Sequence, residues 1–383
     1  MSPESIVFAL SMASYIFAFV IFTFSQALQK TGLYRFGRFA LLIGGILGAT
    51  GIILRWSASG HPPLSNMYES LVTLATMTAW IAWLFSLRHP LPLVEGGAAV
   101  LSVLMIGIAS VFPRDIKPLV PALQSGWLYL HVSIAFVGEA CFALAFAMSF
   151  LFCFRRLITG RQSQRRSERK ADGVHTAWTA ERLLCAGIVL GLPLILTLGL
   201  AKATVVSVPV VPVTMAVPPE STAVASAALA TNNLPATTWE FKPIMLWVTV
   251  PVALLTLLLF LSFFLLRGAA GRAVDQWLPE EDRLDEFTYR AIALGFPLFT
   301  VGAIIFGMVW AQKAWGRYWG WDPKETWALI TFLVYSLYLH LRLTKGWRGL
   351  GAAVLSVVGF LVTMFTLFGV NLLLSGLHSY ASF

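Results

Sequence analysis

The chain has 383 residues, of which 58% are hydrophobic and only 12% are charged. This composition excludes an ordinary water-soluble globular protein and predicts an all-α polytopic membrane protein. The formal net charge is +9, but the basic residues cluster in a few connections between apolar segments. They therefore indicate membrane orientation, and no nucleic-acid partner is expected.

Apolar segments of about 20 residues, the length that a bilayer core requires, recur along the chain. The pattern predicts about ten transmembrane helices, at 5–25, 39–55, 68–87, 92–112, 128–152, 183–203, 244–266, 291–311, 323–342 and 351–374. We divide the chain into an N-terminal transmembrane bundle (1–154), a middle part (155–290) and a C-terminal core (291–383). The middle part holds a basic loop and an additional helix pair, joined by an outer loop that is rich in proline and alanine.

Lysine and arginine are concentrated after the first, fifth and ninth predicted spans. With ten spans, all three connections lie on the same side of the membrane, and the positive-inside rule makes that side cytoplasmic. Both termini are then predicted to lie outside. The basic residues in these connections are Lys30, Arg35, Arg38, Arg155, Arg156, Arg161, Arg165, Arg166, Arg169, Lys170, Arg342, Lys345 and Arg348.

Aromatic residues and glycines alternate in the segment 315–327, which reads WGRYWGWDPKETW. Asp322 is a favourable N-cap, Pro323 suits the first helical position, and Glu325 stands where a capping box places its carboxylate. The sequence therefore predicts a helix from Asp322 to about Leu341, with the aromatic residues just before it on the outer face.

Two interpretations of this aromatic segment remain open from composition alone. An aromatic belt at the membrane interface is common in membrane proteins. Alternatively, the two glycines, Gly316 and Gly320, let flat rings and backbone approach a flat ligand closely.

The predicted topology sorts the six histidines into groups. His61, His131 and His378 lie on the outer side, whereas His89 and His175 fall in cytoplasmic loops and are interpreted as polar anchors. His340 lies within a span, about 27 Å along the helix axis from Asp322 at 1.5 Å per residue. An ionisable group at that depth usually has a function.

Two outer histidines beside a tryptophan-rich surface fit axial ligation of haem iron by two imidazoles. Aromatic side chains would pack on the porphyrin, and basic groups would meet its propionates. Arg317, Lys324 and Arg55 are candidates for the basic groups. A bare metal ion is less expected, since no carboxylate or thiolate completes a site. The cysteines Cys141, Cys153 and Cys185 show no paired spacing.

The segment 315–327 resembles the signature of the WWD haem-handling proteins, in particular the CcsA/ResC branch of cytochrome c biogenesis System II. Three other stretches match that branch: HPPLSNMYES at 61–70, LHV at 130–132 and GLHSY at 376–380. The stretch YLHLR at 338–342 is similar to the family's intramembrane histidine segment.

This resemblance implies transport of haem across the membrane and its covalent attachment to the Cys-x-x-Cys-His motif of apocytochrome c. The chain would act as part of a cytochrome c haem lyase, with haem b as substrate and ligand. It would position haem and contribute no catalytic nucleophile. By motif match, His131 and His378 ligate the iron at an outer site, and His340 does so at an intramembrane site. The other implied haem-binding residues are Trp315, Arg317, Trp319, Trp321 and Asp322.

The resemblance also implies partners and a location. A CcsB/ResB-type membrane protein supplies a second intramembrane histidine, apocytochrome c is the acceptor, and a thioredoxin-like protein is a candidate thiol reductant. The membrane would be the bacterial cytoplasmic membrane, or the thylakoid membrane in a plastid. The helix pair within 183–266 looks like an addition relative to shorter members. His61 is expected to structure its loop in preference to binding iron.

Two alternative functions remain open. The chain could export or relay haem without attaching it, or it could be a structural or quinone-binding subunit. The matches at 61–70 and 376–380 favour attachment over export alone, and a structural role leaves the paired outer histidines unexplained.

Overall fold

The computed structural model describes residues 2–167, 175–196, 205–209, 237–241 and 278–374, and these are almost entirely helical. The helices are α1 (Pro3–Leu28), α2 (Thr31–Ser59), α3 (Met67–Arg88), α4 (Pro92–Ala109), α5 (Gly126–Ser167), α6 (His175–Ala186), α7 (Glu281–Phe299), α8 (Gly307–Trp315), α9 (Pro323–Lys345), α10 (Leu350–Met364) and α11 (Val370–Leu373). Three π-helical turns, Gly187–Gly191, Thr300–Phe306 and Phe365–Gly369, continue α6, join α7 to α8 and join α10 to α11.

Within this part of the chain, eight helical stretches are long and apolar enough to cross a membrane. They are Pro3–Leu28, Thr31–Ser59, Met67–Arg88, Pro92–Ala109, Gly126–Leu157, Glu281–Trp315, Pro323–Lys345 and Leu350–Gly369. The helical membrane fold is therefore confirmed. The predicted span 183–203 begins as helix, but its end and the whole of 244–266 lie outside the described residues. The count of ten and the orientation of the termini stay predictions.

Two short strands lie in the segment that the sequence indicates as an outer loop. β1 (Val205–Pro209) pairs antiparallel with β2 (Thr237–Phe241), and Ser207 lies opposite Trp239. The predicted outer loop thus contains a strand pair, in a fold that is otherwise built of helices among the described residues.

Polar contacts join the helix ends into two groups, one on each side of the bundle. On one side, Arg55 at the end of α2 contacts Glu4 of α1 and Glu69 of α3. On the other side, Arg156 of α5 pairs with Glu281 of α7, and Arg342 of α9 pairs with Asp285. The end of α2 therefore lies beside the starts of α1 and α3, and the start of α7 lies beside the later parts of α5 and α9.

Helix α5 lies at the centre of the bundle. In the most apolar 18-residue stretch of α5, 72% of the residues are buried, compared with 28% in that of α1. Helix α5 contacts α3, α4, α7, α8 and α10. The approach to the π-helical turn after α7 is especially close, because a Cβ on Gly302 would collide with the backbone of Ala135. Only glycine permits the two helices to lie this near each other. This central helix carries His131 in its second turn.

Candidate functional site

The aromatic segment lies between α8 and α9 and ends in the predicted capping box. The Asp322 carboxylate accepts a hydrogen bond from the backbone N–H of Lys324 at 3.1 Å. The Glu325 carboxylate in turn accepts from the backbone N–H groups of Asp322 at 3.2 Å and Gly320 at 2.7 Å. The box therefore fixes both the start of α9 and the last turn of the aromatic segment, and Asp322 is a structural cap.

Replacing Asp322 by alanine is expected to lower the free energy of unfolding by about 1 kcal/mol. The reason is that a backbone donor in the first turn of α9 loses its acceptor. Denaturant titration in detergent micelles measures the change. Asp322→Asn keeps a capping oxygen and is the matched control, so an equal loss in both variants would contradict the capping role.

The tryptophans of the segment point in different directions. Trp319 and Trp321 meet edge to face with ring centroids 5.8 Å apart, and Trp321 is 69% exposed. Trp321 also adopts a positive φ of 55°, which is uncommon for a large side chain. Trp315 instead packs edge to face on Trp310 of α8, at 6.2 Å. The segment thus presents Trp321 outward, while Trp315 supports the wall behind it.

His131 is held in one orientation by the neighbouring helix. Its Nδ1 lies 2.9 Å from the carbonyl oxygen of Gly302. Since a carbonyl only accepts, Nδ1 carries the proton, and a neutral ring then has its lone pair on Nε2. The ring is also parallel to the indole of Trp310, 4° apart at 5.9 Å, and Trp310 is anchored by a bond from Nε1 to the Ala122 carbonyl. This arrangement selects Nε2 as the atom able to ligate iron.

His131 lines a cavity of about 150 Å³ between α5, the π-helical turn, α8 and the start of α9. Pockets for whole small molecules typically measure about 300 to 1,000 Å³. The cavity therefore accommodates one edge of a large flat ligand, with the remainder over the exposed aromatic surface. Its main polar and aromatic lining residues are Asn66, His131, Glu139, Trp310, Tyr318, Trp319, Lys324 and Asn371.

Two buried polar atoms in the cavity lining have no hydrogen-bond partner among the described residues, as expected if a ligand supplies the partner. The Nε1–H of Trp319 is buried and has no acceptor among the described residues. Deeper in the cavity, Oε2 of Glu139 is buried without a hydrogen-bond partner in the same part of the chain. Buried polar groups are normally paired, so both atoms are candidates for ligand contact.

The remaining predicted site residues lie away from this cavity. Arg317 is exposed, with its guanidinium against Gly320. His340 is exposed on α9, near the end opposite to the aromatic segment. His378 lies outside the described residues. His61 is only 8% exposed, and its Nδ1 lies 3.1 Å from the Pro62 carbonyl within its own loop.

Sequence reasoning missed two residues that shape the cavity. Trp310 stacks on His131, but nothing in the pattern of α8 distinguishes it from a membrane-interface tryptophan. Glu139 could have been found, because an ionisable residue inside an apolar span is a functional candidate by default. It follows His131 by two helical turns, which places both on adjoining faces of α5.

Comparison with known proteins gives a consistent result. Residues 64–202 and 230–378 match the family described as Cytochrome C assembly protein. The chain belongs to this family. Three proteins named Cytochrome c biogenesis protein CcsA are similar over nearly their whole lengths. That of Cyanophora paradoxa is 30% identical over 374 residues, covering 94% of this chain and 92% of the relative. That of a Synechocystis strain is 36% identical over 355 residues, covering 90% and 85%. That of a Picosynechococcus strain is 33% identical over 365 residues, covering 92% and 89%.

The family match confirms the resemblance to CcsA-type proteins and a role in cytochrome c biogenesis. The match includes 183–202 and 230–266 and is interrupted between 202 and 230, in the connection of the two predicted spans of the middle part. The division of the chain into three parts, with an additional helix pair in the middle one, stays a prediction.

Proposed function

We propose that this family member binds haem b with one edge in the cavity beside His131 and presents it for covalent attachment to apocytochrome c. The observation that carries the proposal is the bond from His131 Nδ1 to the Gly302 carbonyl, which directs the basic Nε2 toward ligation. His378 is proposed as the second axial ligand. Trp319 and Trp321 are proposed to bind the ring by packing, and Trp315 to support the cavity wall at His131 through Trp310.

The attachment step requires positioning and no nucleophile from this chain. A cysteine S–H of the acceptor adds across a vinyl C=C bond of haem: an S–C bond and a C–H bond form, and the S–H bond and the π bond are lost. Nothing else is consumed. Holding the porphyrin at a fixed angle to an incoming Cys-x-x-Cys-His segment therefore accelerates the step through proximity. We assign Arg317, which is exposed beside the aromatic segment, to a propionate or to the acceptor.

His340 is proposed to handle haem before it reaches this cavity. It is exposed on α9 among the similarly exposed Leu333, Leu337 and Leu343, so an imidazole lies within an apolar stripe. An ionisable group on such a surface needs a partner. We assign this stripe to a CcsB/ResB-type membrane protein, whose own histidine would complete an intramembrane site. A thioredoxin-like protein is proposed to keep the acceptor thiols reduced.

The proposal is tested by cytochrome c maturation in cells that carry His131→Gly, His378→Gly or His61→Gly with the partner present. Haem that remains attached after the cytochrome has been denatured shows that thioether bonds have formed. The first two variants should lower maturation, and added imidazole should restore part of it, since it replaces a ligand without a side chain. His61→Gly is the control for a loop histidine. Normal maturation in His131→Gly and His378→Gly, with failure only in His61→Gly, would overturn the assignment.

A second experiment separates attachment from relay. The full chain is purified with its partner and loaded with haem, and a reduced Cys-x-x-Cys-His peptide is added. Thioether formation supports attachment, whereas haem transfer without a covalent product favours a relay. Loss of haem from the outer site in His340→Ala supports transit through the intramembrane site.

A further inference from the structure

The base of the cavity holds a carboxyl group with no obvious structural purpose. Glu139 lies within α5 and is only 8% exposed, and its Oε2 has no hydrogen-bond partner among the described residues. Burying an unpaired carboxylate costs several kcal/mol or more, so such a group is retained only where something compensates it. The compensation is expected from a neighbouring charge and from a ligand.

The neighbouring charge is the ammonium group of Lys324, in the first turn of α9. It lines the same cavity and interacts electrostatically with Glu139, although the two do not form a direct ion pair. Its Nζ donates to Oδ1 of Asn371 at 3.3 Å. The amide of Asn371 is itself oriented, because its Nδ2 donates to the Leu367 carbonyl at 2.6 Å. An ammonium has three donors, so Lys324 has donors left for a further acceptor.

The other polar groups around Glu139 are already engaged or uncharged. The Glu325 carboxylate accepts two backbone N–H groups in the capping box, and His131 is tied to the Gly302 carbonyl. Tyr335 of α9 contributes a buried phenol close to Glu139 but outside the cavity lining, and the facing π-helical turn contributes apolar side chains to that lining. The charge at the cavity base is therefore set by Glu139 and Lys324 together.

We propose that Glu139 and Lys324 form a carboxyl-binding subsite for one haem propionate, in which Glu139 and the propionate share a single proton beside the lysine. This inference rests on the proposed function. Two carboxylates beside one ammonium leave an uncompensated negative charge in a buried site, and one added proton removes it. The shared proton also supplies the hydrogen bond that Oε2 of Glu139 lacks. Binding therefore takes up one proton from solution.

The subsite also determines the orientation of the porphyrin ring in the cavity. Propionates and vinyls lie on different edges of haem b. With a propionate at the cavity base, the vinyl edge points away from it, toward the exposed Tyr318 and Trp321. That is the edge that the acceptor thiols must reach.

The test uses iron-free protoporphyrin IX, so that histidine ligation does not contribute, and the purified full chain in lipid nanodiscs. Affinity is measured by tryptophan quenching from about pH 6.5 to about pH 9.5, where the carboxyl groups of the porphyrin in water are ionised. At pH values where Glu139 is ionised in the ligand-free protein, uptake of one proton predicts that wild-type affinity falls by up to about tenfold per pH unit. Glu139→Gln donates a hydrogen bond without a proton from solution, so its affinity should not change with pH. Lys324→Met should bind at least about tenfold more weakly throughout, since a charge-assisted contact is lost.

Two controls make the result specific. Glu95→Gln changes another buried glutamate, which is bonded to Tyr34 at 2.7 Å in a different part of the bundle, and should keep the wild-type pH dependence. The dimethyl ester of protoporphyrin has no carboxylate, so its affinity for the wild-type protein should not change with pH. Equal pH dependence in the wild type and Glu139→Gln, or in the acid and its ester, overturns the subsite while leaving haem binding intact. Failure of the wild type to bind either porphyrin or haem overturns the proposed function as well.

Discussion

Replacing Gly302 by alanine is expected to lower haem affinity at the proposed site beside His131 by about 10- to 100-fold, the range that loss of a ligand-orienting contact produces. A Cβ at this position would meet the backbone of Ala135 and of Ile134, neither of which can rotate away. Helix α5 and the π-helical turn must therefore separate. The bond of 2.9 Å from His131 Nδ1 to the Gly302 carbonyl then stretches, and the imidazole loses its fixed orientation.

Alanine substitutions at two further glycines provide comparisons for this effect. A Cβ on Gly307 would lie 3.1 Å from Cε1 of the His131 ring, so Gly307→Ala should tilt the ring slightly and weaken binding less. A Cβ on Gly126, at the start of α5, would meet nothing within 4 Å, so Gly126→Ala is the matched control. Haem titration followed by absorption spectroscopy measures all three.

Added imidazole distinguishes displacement of His131 from its removal. Imidazole should restore haem binding in His131→Gly, where the missing side chain leaves space for it. It should not restore haem binding in Gly302→Ala, where the His131 side chain still fills that space. Wild-type affinity and spectrum in Gly302→Ala would contradict the orienting role of the π-helical turn.

Among the described residues, the sequence predicted the eight candidate membrane spans and the capping box because both depend on local patterns. Apolar runs locate helices such as α3 and α9, and the residues from Asp322 to Glu325 specify a helix start by side-chain chemistry alone. The predicted helix from Asp322 to about Leu341 corresponds to α9, which runs four residues further before Gly346 ends it in a left-handed conformation.

The orientation of His131 could not be predicted, because it depends on which helices are neighbours. Pro297 lies within α7 shortly before the π-helical turn and is a local sign of irregularity. Nothing local, however, indicates that the Gly302 carbonyl faces α5, or that Trp310 stacks on His131. Both contacts join residues far apart in sequence.

The opposite situation applies to His340. Its depth along α9 follows from counting residues, but its exposure depends on how α9 rotates in the bundle. The structure places Tyr335 and Tyr338 inward and His340 outward among the described residues. A histidine within a span can therefore serve a partner protein instead of the chain's own core.

Replacing Arg55 by methionine is expected to lower the free energy of unfolding by about 3 to 5 kcal/mol, the range found when one member of a buried ion pair is removed. Arg55 is 2% exposed. It donates from Nε to Glu69 at 3.0 Å and from Nη1 to the Arg114 carbonyl at 2.7 Å, and Glu4 lies 3.6 Å away. Methionine fills much of the space but leaves two buried carboxylates without a counter-charge.

Arg55→Met should also affect the cavity, because Glu69 holds the loop before α3 in place. Glu69 also accepts hydrogen bonds from the backbone N–H and the hydroxyl of Ser65, at 2.9 Å and 2.7 Å, and Ser65 lines the cavity with Asn66. When Glu69 loses Arg55, this rim loses its support. Weaker porphyrin binding should therefore accompany the loss of stability.

Denaturant titration in detergent micelles measures the stability, and two variants make the comparison decisive. Arg290→Met removes an exposed pair with Glu286 on one helix face and should change stability by no more than about 0.5 kcal/mol. The double variant Arg55→Met, Glu69→Gln also removes the Glu69 charge that the loss of Arg55 leaves without a partner. The double variant should therefore be more stable than Arg55→Met alone. If the two losses simply add, Arg55 acts through packing of its side chain on Tyr68, 5.5 Å from the ring centroid, and not through the buried charges.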